Sequence, residues 1–222
     1  GNVYFIFMIN LQQRSYQKEL MDGDNISFEA MAQTLKELNI VNTRLGGHAI
    51  TIKGLTQLIN PKNPVTVCEI GCGGGDNLFA IHKYCSRNNI PVNFIGIDMN
   101  GKCIAFAMQQ YPQLPCQWIC SDYALVQFEN KKPDIIFSSL FCHHLSDEEL
   151  HNMFQWLKNN ANTAFFINDL HRHFIAYYSI KILTKLFSKS YLVKNDAPLS
   201  VTRGFLKKEW EQFIQKSGIQ KY

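Results

Sequence analysis

Charge is the scarcest ingredient of this 222-residue chain: Asp, Glu, Lys and Arg make up 18% of it and leave a net charge of +4. A nucleic-acid binder would carry a stronger basic excess, and a disordered chain would fall well below the 46% hydrophobic content found here. Long apolar runs are missing as well. The longest, residues 3–9, is far short of the roughly 18 residues that span a bilayer, and it lacks the basic flank and small-residue cleavage site of an export signal. Met8 within it is a candidate natural start. Repeats and low-complexity stretches are absent. The seven cysteines form an odd set in a chain large enough to need no staples, and they read as reduced thiols of a cytoplasmic protein. The four-residue spacings of Cys68 with Cys72 and Cys116 with Cys120 admit a zinc site, but Cys68 lies in an apolar run and Cys72 in a glycine loop. Small buried hydrophobes are the better reading.

What is present is helical periodicity followed by alternation. Residues 12–60 read as helical, with Phe28, Met31, Leu35 and Leu38 at three- and four-residue steps and a second segment after Gly46-Gly47. Beyond Pro64, short apolar runs at 65–70, 92–97, 116–120, 134–138 and 164–167 read as strands. Residues 77–87, 101–111 and 147–159 between them read as helices, the last opened by the capping box of Ser146 and Glu149. Such alternation predicts an α/β fold, a doubly wound, mostly parallel sheet with ligands at the carboxyl ends of its strands.

The first strand runs into Glu69-Ile70-Gly71-Cys72-Gly73-Gly74-Gly75-Asp76. Glycines there let the chain turn sharply and let a ligand touch the main chain beside a helix N-terminus. A dinucleotide fingerprint requires a small residue at the position of Asp76, where a carboxylate would face a pyrophosphate, so that fit fails. Glu69 suits a ligand ammonium instead. Asp98 ends the second strand 23 residues after Gly75, at the spacing of a ribose-binding carboxylate, and Asp122 ends the third, where it can accept from an exocyclic amine.

Over about residues 60–170 these motifs, with Ser121-Asp122 and Pro133-Asp134-Ile135-Ile136-Phe137-Ser138-Ser139, resemble the class I S-adenosylmethionine-dependent methyltransferases. The resemblance implies a Rossmann-like methyltransferase fold, with a helical lid at 1–60 and a cofactor-binding methyltransferase domain at 61–222. It assigns Glu69, Gly71, Cys72, Gly73 and Gly75 to the methionine moiety, Asp98 to the ribose, and Met99 and Asp122 to adenine, with Tyr123 a further cofactor-binding residue. Ser138 falls near the sulfonium, and Arg44 or Arg14 near the cofactor carboxylate. The family's last strand hairpin would begin only at 219–222, so the final C-terminal strand is expected to be missing.

The flanks, Glu19-Leu20-Met21-Asp22, Asn42-x-Arg44-Leu45-Gly46-Gly47, Phe141-Cys142-His143-His144-Leu145, Asn168-Asp169-Leu170-His171-Arg172 and Leu199-Ser200-Val201-x-Arg203-Gly204-Phe205, are similar to small-molecule methylases acting on quinols and polyketides. No Asn/Asp-Pro-Pro-aromatic motif follows the fourth strand, which disfavours nucleic acid and protein amides as acceptors. A small molecule methylated at a phenolic, quinol or polyketide-like hydroxyl or carbon is expected. A non-catalytic cofactor-binding domain and a dinucleotide-dependent oxidoreductase are the alternatives. His144, or else His143, is the expected base, titrating near 6 to 7, with Tyr16, His171, Arg172 and Arg203 toward the acceptor. No metal is expected, because no acidic or thiolate partner stands at ligand spacing beside the histidines. Lys181, Lys185 and Lys189 on an apolar helix at 174–192 leave room for peripheral membrane contact, and the oligomeric state stays open.

Overall fold

The computed structural model describes residues 9–219 apart from 24 and 130, so Met8, most of the leading apolar run and most of the final segment lie outside the described residues. Five strands, β1 (Val65–Ile70), β2 (Val92–Asp98), β3 (Cys116–Cys120), β4 (Ile135–Ser139) and β5 (Ala164–Asn168), form one parallel sheet in the order β3-β2-β1-β4-β5. Helices α3 (Asp76–Arg87), α4 (Gly101–Gln110) and α5 (Asp147–Asn160) connect them. The preceding segment holds α1 (Phe28–Arg44) and α2 (Gly47–Thr56), and α6 (Phe174–Phe187), α7 (Tyr191–Arg203) and α8 (Lys207–Lys216) follow β5.

Alternation along the strands sends side chains to both sheet faces. Val67, Phe94, Ile135 and Phe137 pack with Leu55, Leu78 and Ile81 on one face. On the other, Cys68, Ile70, Ile97 and Ile136 meet the apolar side of α5, where Leu150, Met153, Phe154 and Leu157 are buried. Each such buried side chain contributes roughly 1.5–3 kcal/mol of transfer free energy. The α5 capping box forms as its sequence predicts, with Ser146 Oγ accepting from the Glu149 N–H and the Glu149 carboxylate from the Ser146 N–H.

Two expectations need correction. Residues 12–19 are not helical but form an extended strap, tied by the Ser15 N–H to the Thr202 carbonyl and leading into a 3-10 turn at Leu20–Asp22. The apolar stretch at 174–192 is two helices, because Ser190 caps α7 and Glu37 of α1 accepts from Ser188 Oγ and from the Lys189 and Ser190 N–H groups. Helix α1 thereby lies against α4 and α7 and closes the carboxyl edge of the sheet from above. No helix among the described residues is long and apolar enough to cross a membrane.

Candidate active site

The carboxyl edge opens into a cleft of about 1420 Å³ roofed by α1, α6 and α7. One half of it is the loop after β1. Gly71, Gly73 and Gly75 all take left-handed φ, at 66°, 50° and 76°. A Cβ on Gly71 would stand 2.5 Å from the Phe141 ring, and one on Gly75 would stand 2.5 Å from Trp118, so both positions require glycine for space as well as backbone. At Gly73 the nearest atom is Leu35 Cδ2 at 3.7 Å, which leaves that main chain open to the cleft.

Asp98 Oδ2 accepts from the Gly73 N–H at 2.8 Å and Oδ1 from the Asn100 N–H at 2.8 Å, fixing the carboxylate at the lip between β1 and β2. Glu69 is buried, its Oε1 accepting from Asn77 Nδ2 at 2.9 Å, while its Oε2 has no hydrogen-bond partner among the described residues. Burial, reinforced by Asp76 and Asp98, pushes the Glu69 carboxyl well above its ordinary range. An orphaned carboxylate oxygen inside an acidic loop calls for a cationic ligand, and the ammonium and sulfonium of S-adenosylmethionine supply that charge. Met99 is 75% exposed at the cleft, available to cover a flat ring, and Asp122 lies exposed beside Tyr123 with its Oδ1 accepting from the Ala124 N–H. The residues present therefore fit this cofactor.

Not every expected cofactor residue reaches the cleft. Glu69, Gly71, Cys72, Gly73, Asp98, Met99, Asp122 and Tyr123 line it, whereas Gly75 sits behind the turn. Ser138 is fully buried against Cys142, and Ser139, one residue on, takes the edge position. Arg44 is exposed at the end of α1, outside the cleft. Arg14 is also turned away. It donates to the Leu145 carbonyl and lies over the Phe205 ring, since the extended strap directs it behind the site.

The second half of the cleft is a cluster of carboxylates and imidazoles. His143 is buried, with Nδ1 2.7 Å from Asp169 Oδ1 and Nε2 3.5 Å from Glu19 Oε1. Half-buried His144 stacks beside it with ring centroids 4.4 Å apart; its Nδ1 lies 3.2 Å from Asp22 Oδ1 and its Nε2 3.8 Å from Glu19 Oε2. Burial works against the charged imidazolium of His143, but Asp169 and then Glu19 outweigh it and bring its pKa up to about 9. Correspondingly, although burial opposes it, His143 holds Asp169 below the ordinary carboxylate range, and His143 and His144 do the same for Glu19. That upward shift takes His143 away from the range near 6 to 7 expected for whichever of the two histidines acts as the base. Nothing in the sequence alone assigns a role to Glu19, Asp22 or Asp169, and their only signal there is their place in the Glu19-Leu20-Met21-Asp22 and Asn168-Asp169 motifs.

The remaining acceptor-side residues divide. His171 is exposed and lines the cleft, as does Arg203, whose Nε donates to the His143 carbonyl at 3.0 Å and whose Nη1 donates to the Gln17 carbonyl at 2.6 Å. Tyr16 lies outside, donating to Asp147 at 2.9 Å. Arg172 is buried away from the cleft, bound to Glu209 and to the Leu11 and Gly204 carbonyls, so it ties the strap to α8 rather than touching an acceptor.

Residues 67–161 match the family described as Methyltransferase domain. The matched stretch carries the glycine turn and the strand-end acids Asp98 and Asp122, whose chemistry fits S-adenosylmethionine as the methyl donor. Among solved structures the chain is similar to the plantazolicin methyltransferase BpumL in complex with SAH, at TM-score 0.59 and 20% identity over 85% of this chain and 74% of that one. It is similar also to BamL in complex with a triazolic desmethylPZN analog and SAH, at 0.58 and 20% over 88% and 76%. The citrinin polyketide synthase CMeT domain shares the fold at TM-score 0.50 and 14% identity, over 74% and 42%. No curated protein sequence matches the chain.

Proposed function

We propose that this enzyme methylates a small organic acceptor at a hydroxyl or an activated carbon, and that the Glu19, His143 and His144 cluster promotes loss of the acceptor's proton. The observation that carries this reading is the cluster itself, which shares one cleft with the glycine turn. Bound S-adenosylmethionine supplies an electrophilic methyl whose carbon–sulfur bond breaks with its electron pair left on sulfur. The protein's part is to position and desolvate: α1 and α7 cover the cleft, and Asp169 and Asp22 orient the two imidazoles. Carboxylates outnumber Lys and Arg nine to three among the lining residues, an arrangement that repels a phosphate backbone and favours a neutral or cationic acceptor. A phenolic, quinol or polyketide-like molecule fits those terms. Calorimetry with S-adenosylhomocysteine, followed by mass spectrometry of a cell extract incubated with isotopically labelled donor, tests it. One labelled small molecule is expected; label found only in nucleic acid or protein overturns the acceptor class.

Helix α6 favours an apolar source for that acceptor. Ile175, Ile182, Leu186 and Phe187 are exposed on it with Lys181 and Lys185 beside them, while Ile180 and Leu183 of the same helix line the cleft. This combination suits peripheral contact with an anionic lipid surface. Co-sedimentation with phosphatidylserine-containing vesicles, lost in Leu186→Glu/Phe187→Glu, is expected; equal partition without vesicles removes this reading.

A further inference from the structure

The Glu19 cluster has a second feature that methyl transfer alone does not require. Both imidazoles present Nε2 toward one buried carboxylate, and both have Nδ1 held by another, His143 by Asp169 and His144 by Asp22. Two carboxylate–histidine pairs converging on a shared acid is the arrangement by which proteins aim imidazoles at a metal, since the outer carboxylate sets the tautomer and raises the basicity of the inner nitrogen. We infer that Glu19, His143 and His144 form a divalent-cation site in the acceptor half of the cleft.

The geometry supports three ligands from one side. One atom from each residue lies within 4.8 Å of the others, and the two carboxylate-to-imidazole separations are 3.5 and 3.8 Å. A tetrahedral ion with bonds of about 2.1 Å places its ligands about 3.4 Å apart, so the imidazoles need to draw in by on the order of 1 Å. Glu19 is firmly anchored. It is 5% exposed, its Oε1 accepts from Ser200 Oγ at 2.7 Å, and the Leu20 and Met21 N–H groups after it are held by Asp196. Two imidazoles and one carboxylate prefer zinc or another borderline first-row ion, with the open side of the site free for an oxygen ligand.

This inference rests on the methyltransferase reading and narrows it. An acceptor oxygen bound in the open position would be favoured in its ionised form, with its proton passing to solvent, and an acceptor with two adjacent oxygens, such as a catechol or an enolised dicarbonyl, would chelate best. The ion undergoes no redox change.

Titration of the untagged, chelator-treated full chain with Co²⁺ alone, read by visible d–d absorption, tests the site. The result expected is one Co²⁺ per chain, displaced by Zn²⁺, with affinity at least tenfold weaker in Glu19→Gln and in His144→Ala and unchanged in His151→Ala. His144 is half-buried, so its variant keeps the test decisive if Glu19→Gln fails to fold. Calorimetry with S-adenosylhomocysteine on the same samples separates the two readings. Cofactor binding without a Co²⁺ spectrum, or a spectrum indifferent to His144→Ala, overturns the cation site and leaves the methyltransferase in place; failure of the wild type to bind the cofactor would instead overturn the functional reading.

Discussion

The two halves of the cleft are built in opposite ways. The cofactor half comes from one run of chain, residues 69–123, in which each strand end delivers its own ligand-facing group. The acceptor half gathers Glu19 from the strap and Asp22 from the 3-10 turn after it, His143 and His144 from the turn after β4, and Asp169 from the end of β5. The first half is therefore held by local backbone geometry, and the second by charge pairing between segments far apart in the chain. Damage to the glycine turn of the first should unsettle the fold as well as binding, whereas damage to the second should stop the chemistry and leave the cofactor half in place.

The sharpest break is Gly71→Ala. Its φ of 66° and the Phe141 ring 2.5 Å from an added Cβ should cost about 1–3 kcal/mol by overpacking, with roughly 1 kcal/mol more for the backbone. Urea unfolding and calorimetry should show lower stability together with loss of S-adenosylhomocysteine binding. Gly73→Ala, which meets only Leu35 at 3.7 Å, should weaken binding with a smaller stability loss. Equal stability losses in the two would erase the distinction between a packed and an open glycine.

On the acceptor side, Glu19→Gln should lower turnover on the true acceptor by about 10²-fold or more while S-adenosylhomocysteine affinity stays within a few-fold. If cofactor affinity fell in parallel, the two halves would not be separable. Asp98→Ala is the converse case. Loss of a charged acceptor at the lip should weaken the cofactor by about 1–3 kcal/mol, seen by calorimetry, with little effect on kcat at saturating donor.

A smaller effect concerns the opposite edge of the sheet. Burial works against the charged form of Asp134, but the Thr66 N–H, Asn162 and Lys131 bring its pKa below the ordinary value. A carboxylate with a depressed folded pKa adds stability that is complete above its unfolded value, about 3.9, and fades as pH falls through the folded value. Urea midpoints of Asp134→Asn and wild type should differ at pH 7 and converge in acid, with cofactor affinity at neutral pH unchanged. The smallest effect belongs to Arg44→Ala. Exposed and outside the cleft, it should leave cofactor affinity within error; a tenfold loss would restore it to the site.

Legibility follows the same division. The strand and helix pattern from 65 to 168 is readable within a residue or two, because buried strands announce themselves as short apolar runs and α5 carries its own cap. Ser138 misses the cleft edge by a single position: β4 ends at Ser139, and a one-residue step along a strand moves a side chain to the other face. The strap at 12–19 reads as helix because its apolar spacing carries no information about the partner, and its conformation is set by Thr202, Leu145 and Arg172, all far along the chain.

The sequence by itself determined the parallel sheet, the glycine turn and the strand-end acids, since periodicity, capping and left-handed φ are properties of neighbouring residues. Only the tertiary structure decided that Glu19 meets His143 and His144, that Asp169 and Asp22 back those rings, that Arg14 and Arg172 are spent elsewhere, and that Arg44 lies outside the cleft. Those outcomes depend on Coulomb and hydrogen-bond energies at separations of 2.7 to 3.8 Å, between residues whose distance in the chain gives no hint that folding brings them together.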